Sequence, residues 1–135
     1  MSDSFRSHEI RLRRPWNRTS NGNLQSVVVH VPDSLDQPEA STVAGDQVRY
    51  QRGFNAPTGL TEAETIELCI DAWQGRLVSV QVNGCLFSPT DAPLVIDLSN
   101  VIEGFNRIEV TIMSESGELP RIHGDVVLRI QAEQK

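Results

Sequence analysis

A chain of 135 residues with 39% hydrophobic and 22% charged content has the size and composition of one globular domain, so disorder is not indicated over most of it. A formal net charge of -6 argues against binding to a phosphate backbone, which needs a dense basic face. No apolar run approaches the roughly 20 residues of a membrane helix. The polar start Met1–Glu9 lacks the apolar stretch of a secretory signal, so a cytoplasmic protein with no membrane or nucleic-acid partner is expected.

In chain order, residues 1–8 read as a flexible N-terminus, followed by a strand over Ile10–Arg14. Arg11 and Arg13 alternate with Ile10 and Leu12, so the local run Arg11, Arg13, Arg14 and Arg18 is read as a solvated strand face. Trp16, directly after Pro15, reads as a core plug. A strand over Ser26–Val31 leads into the Pro-, Ser- and acid-rich segment 32–46, expected as a long surface loop. Val48–Phe54 is the next strand, with Tyr50 and Phe54 directed to the core.

Thr61–Glu64 has the form of a helix capping box, but the residues after it alternate at period two: Ile66, Leu68 and Ile70 on one face, Glu67, Cys69 and Asp71 on the other. A single turn at Thr61 followed by a strand satisfies both signals. Val78–Val82 repeats the alternation and runs into Asn83-Gly84, the strongest short hairpin signal, with Cys85–Phe87 as its return strand. Strands follow at Leu94–Leu98, Arg107–Met113 and Val126–Ile130. Between the first two, Ser99–Gly104 reads as a short helical turn, capped by Ser99 and closed by a left-handed Gly104. The pattern is one all-β domain over 1–135, a sandwich or a barrel, of about eight to nine strands.

Several of these segments carry a resemblance. Arg49-Tyr50-Gln51-Arg52-Gly53-Phe54-Asn55-Ala56-Pro57, Val80-Gln81-Val82-Asn83-Gly84, Pro93-Leu94-Val95-Ile96-Asp97-Leu98 and Glu103-Gly104-Phe105-Asn106-Arg107-Ile108-Glu109-Val110 occur in that order. Together with Gly124–Ile130 they resemble the sugar-binding domain of glycoside hydrolase family 2. The resemblance implies a galactose-binding-domain-like jelly roll with two antiparallel sheets. It covers the chain from Val48 onward well and the first forty residues loosely, with Pro15-Trp16 and Val31-Pro32 standing near the family's opening Trp and "V-P" segment. The family's catalytic barrel takes about 250 residues, more than this sequence holds, so the resemblance implies the accessory domain and no catalysis. The family's second Trp has no counterpart here, since Asp33, Ser34 and Leu35 follow Val31-Pro32.

The chemistry-bearing residues fit a binding module better than an enzyme. His8, His30 and His123 are far apart and form no motif, and the acidic pairs Glu62/Glu64 and Glu115/Glu118 lie in turns. Cys69 and Cys85 read as free thiols, and no zinc spacing is present. Asp33 and Asp36 share a loop, but the EF-hand pattern is absent, so no cofactor is expected and a structural calcium at this loop is only the alternative. Asp71–Arg76 is expected as a loop between strands. In it Trp73 either folds back as a lid on the sandwich edge or, beside Gln74 and Arg76, stacks on a pyranose ring. The expected function is therefore a non-catalytic accessory module binding carbohydrate at Trp73, Gln74 and Arg76. The alternative is a structural or protein–protein interaction domain that works through a sheet face or edge.

Overall fold

Period-two alternation builds two antiparallel sheets whose apolar faces meet. The computed structural model describes residues 5–20, 26–33, 46–57, 64–89, 91–117 and 119–133. Within them the strands are β1 (Phe5–Arg11), β2 (Trp16–Ser20), β3 (Ser26–Val29), β4 (Gln47–Asn55), β5 (Glu64–Ile70), β6 (Trp73–Gln74), β7 (Arg76–Val82), β8 (Cys85–Phe87), β9 (Leu94–Asp97), β10 (Phe105–Met113), β11 (Arg121–Ile122) and β12 (Val126–Glu133). One sheet has the order β1-β12-β5-β9 and the other β3-β2-β4-β10-β7-β8, while β6 and β11 form a two-stranded ribbon. The described residues contain no helix, and the fold is an antiparallel β-sandwich.

The core is what the alternation predicts. Ile66, Leu68 and Ile70 of β5 and Val126, Leu128 and Ile130 of β12 face Tyr50 and Phe54 of β4 and Ile108, Val110 and Ile112 of β10. Trp16 is 0% exposed, and its indole N–H donates to Leu12 O at 2.7 Å, which gives the buried ring's polar edge a partner. Cys69 and Cys85 are free.

Several boundaries move. The first strand starts at Phe5 and pairs with β12 from Phe5↔Glu133 to Arg11↔Val127, so residues 5–8 belong to a sheet edge and not to a free N-terminus. Of the four arginines expected on a solvated face, Arg11, Arg13 and Arg14 are exposed but Arg18 is buried. It lies on the inner side of β2, a strand with no clear alternation in the sequence, and Asp33 neutralises it. The capping-box residues Thr61 to Ala63 and most of the segment 32–46 lie outside the described residues.

The turn chemistry is local and legible. Asn83 (φ 54°) and Gly84 (φ 81°) take the positive φ pair of the expected hairpin. After β9 the chain makes one helical turn, with Ile102 N–H donating to Leu98 O at 2.9 Å. Asp97 Oδ1 caps it, accepting from Ser99 N–H at 2.9 Å. Gly104 does not close the turn in a left-handed conformation; among the described glycines the positive φ values fall at Gly75, Gly84 and Gly117. Asn106, fully buried, does that work. Its Oδ1 accepts from Glu103 N–H at 2.7 Å and its Nδ2 donates to Glu103 O at 2.9 Å, so no left-handed residue is required. Asn83 Nδ2 donates to Asn106 Oδ1 (2.8 Å) and to Val101 O (2.9 Å), which binds the hairpin to the turn.

Candidate functional site

The segment after β5 leaves the main sheets to form the β6–β11 ribbon, with Trp73 paired to Ile122 and Gln74 to Arg121. It returns at Gly75, where φ is +100° and an added Cβ would stand 2.7 Å from Met113 O, so both the conformation and the space demand glycine. On its far side Arg76 enters the six-stranded sheet opposite Met113. Gly124 backs the same segment: a Cβ there would stand 2.6 Å from Ala72 N. Two glycines thus let the backbone approach closely enough to hold Trp73 and Arg76 at one corner of the sandwich.

A cleft of about 500 Å³ opens at this corner, lined chiefly by Trp73, Arg76, Val78, Pro89, Asp91 and Glu115. That lies within the roughly 300–1,000 Å³ of small-molecule sites. Trp73 is half-buried, packs on the core and lines the cleft. Arg76 is exposed and makes no ion pair among the described residues. Gln74 is placed differently. It does not line the cleft, and its Nε2 donates to Leu119 O at 2.7 Å, tying the ribbon down. Asp91, Pro89 and Glu115 were missed in the sequence because they arrive from two other connections. The only signal for Glu115 is that it follows, by two residues, the Met113 that pairs with Arg76.

The other titratable residues serve the fold. Asp33 Oδ2 accepts from Arg18 and, at 2.7 Å, from Tyr50 OH; its backbone oxygen accepts from Arg121 at 2.5 Å. Burial pushes the Tyr50 hydroxyl well above its ordinary pKa, and the charge of Asp33 adds to this. For Arg18, burial opposes the charge, but the hydrogen bond and charge of Asp33 outweigh it and its pKa is raised. As the one described residue of the calcium candidate, Asp33 is therefore engaged with an arginine; Asp36 lies outside the described residues. Among the described residues no group of three or more His, Cys, Asp or Glu is placed to hold a metal. His8 on β1, His30 just after β3 and His123 just after β11 are all exposed. No helix among the described residues is long and apolar enough to cross a membrane.

The two sheets and their hairpin define an antiparallel β-sandwich, a fold also present within solved β-glucuronidases and a β-mannosidase. The chain is similar in fold to β-D-glucuronidase from Dictyoglomus thermophilum (TM-score 0.74, 16% identity, covering 100% of this chain and 29% of that one). It is likewise similar to the Bifidobacterium dentium β-glucuronidase solved with coumarin-3-O-glucuronide (TM-score 0.73, 15% identity, covering 98% and 31%). A third relative in fold is β-D-mannosidase from Dictyoglomus thermophilum (TM-score 0.68, 13% identity, covering 90% and 22%). The chain spans less than a third of the length of each of these enzymes, and at these identities the likeness is one of fold. No family model matches the chain, and no curated protein matches it in sequence.

Proposed function

We propose that this chain is a non-catalytic accessory module of the glycoside-hydrolase kind that binds carbohydrate in the Trp73–Arg76 cleft. One observation carries the reading: a half-buried indole and an arginine without an ion pair among the described residues share a cleft of about 500 Å³. The indole offers an apolar surface to the C–H face of a pyranose, and the guanidinium offers donors to its hydroxyls. That the chain matches only part of each glycosidase supports an accessory role over an active site of its own.

The rival reading, a protein-docking sheet face, needs a continuous exposed apolar patch. On the outer side of the six-stranded sheet, the exposed Val28 (59%) and Leu86 (68%) stand at opposite edges. The register places Asn17, Gln51, Glu109 and Gln81 between them, so the apolar surface is broken by polar side chains.

The test is tryptophan fluorescence titrated with mono- and oligosaccharides, with Trp73→Ala as control. The chain has two tryptophans, and the other, Trp16, is fully buried, so a ligand signal reports on Trp73. A saturable change that disappears in the variant is expected. A flat response across the panel would sink the sugar reading in favour of a protein partner.

A further inference from the structure

Resting on that reading of the cleft, we infer that the site selects uncharged sugars and rejects uronic acids, although two of the enzymes it resembles in fold are glucuronidases. The charged residues lining the cleft are one cation, Arg76, and two anions, Asp91 and Glu115; the remaining lining is Trp, Gly, Leu, Val, Pro and Ala. The lining therefore sums to a net charge of -1, inside a chain whose formal net charge is -6. Asp91 and Glu115 are both exposed and each has a further interaction within the protein.

A uronate carboxylate entering this space gains one guanidinium and meets two carboxylates. Like charges repel, and near a protein surface water screens them less than in bulk, so the second carboxylate decides the sign. A neutral pyranose meets no such opposition. Its hydroxyls can donate to carboxylates and accept from a guanidinium, so both signs of charge in the lining favour it. Specificity of this sort comes from a repulsive element built against the wrong ligand.

The matched probes are methyl β-D-glucopyranoside and methyl β-D-glucuronide, which differ only at C6, titrated at neutral pH and low salt with Trp73→Ala alongside. The glucuronide is expected to bind roughly tenfold more weakly. The gap should narrow as salt is raised, because these charges lie near the surface, and narrow again in Glu115→Gln. Equal or tighter binding of the glucuronide would overturn the inference while leaving the cleft a sugar site. Saturable binding of neither probe, nor of any neutral sugar in the wider panel, would overturn the sugar reading and the inference with it. A gap that persists unchanged in both Glu115→Gln and Asp91→Asn would show that shape, not charge, discriminates.

Discussion

Two arginines sit on the inner side of the six-stranded sheet, and they are treated in opposite ways. Arg18 on β2 stands across from Tyr50 on β4, and its guanidinium meets Asp33, which Tyr50 also contacts. Arg52 lies two residues beyond Tyr50 on the same strand, across from the fully buried Ile108, and its Nε and one terminal nitrogen are shut off from solvent with no acceptor among the described residues. Burial accordingly pulls the Arg52 pKa down, whereas Arg18 is raised. A buried charge is tolerable when another charge and a hydrogen-bond network answer it, and costs stability when nothing does. The Arg18 cluster ties the Val31–Asp33 segment to β2, β4 and β11. Arg52 makes no such tie.

Removing the answering charge has the largest expected effect. Asp33→Ala would leave the buried Arg18 without its charge partner, lowering stability by about 3–5 kcal/mol, read as a lower urea midpoint with an unchanged slope. A loss under about 1 kcal/mol would mean that solvent reaches Arg18 in the variant.

Tyr50→Phe should come next, at about 1.5–3 kcal/mol, because it removes a hydroxyl bound to a charged group. It also carries a pH signature. The folded-state pKa of Tyr50 is raised above its ordinary value of 10.0, first by burial and then by Asp33. Its contribution is thus fully present below pH 10.0 and is lost as pH rises through the folded-state value. Tyr50 is the only tyrosine, so tyrosinate absorbance during an alkaline titration should appear together with unfolding and not before it. Absorbance that rises while the fold is intact would contradict the buried position.

Arg52→Met reverses the sign. It keeps most of the aliphatic stem and deletes the unanswered guanidinium, so stability should rise by about 1–2 kcal/mol. A fall instead would show that Arg52 has an acceptor in solution, and the contrast between the two arginines would collapse.

These arginines also mark where the sequence stopped being readable. Strands whose inward residues are all apolar, such as β5 and β12, declare themselves by alternation. β2 has Trp16, Arg18 and Ser20 in its inward register, and a charge at the middle position hides the period. That charge is tolerable only because of Asp33, fifteen positions away in the chain, and single-sequence patterning carries no such information. The two-residue strands β6 and β11 are too short to show any period. Local chemistry was easier. Asn83-Gly84 and Asp97 act as their residue types dictate, whereas at Gly104 the type suggested a conformation that the Asn106 side chain made unnecessary. The site was half legible. Trp73 and Arg76 lie in one connection, but Asp91 and Glu115 join them only once the strands are paired.

The smallest effect belongs to the same kind of ion pair placed at the surface. Arg129 and Glu67 face each other across β12 and β5, with Nε and a terminal nitrogen donating to one carboxylate oxygen at 3.0 and 2.8 Å. The geometry is better defined than many exposed pairs, and the hydrogen bond to Glu67 is the first cause of the raised Arg129 pKa. Yet the two side chains remain 30% and 24% exposed, so water solvates whatever is left unpaired. Glu67→Gln should cost only about 0.2–1 kcal/mol, and less in high salt. The Asp33→Ala loss, shielded from counterions, should persist at the same salt. If the two losses came out alike, burial would not be what separates these pairs, and the reading of Arg52 as an unanswered charge would lose its basis.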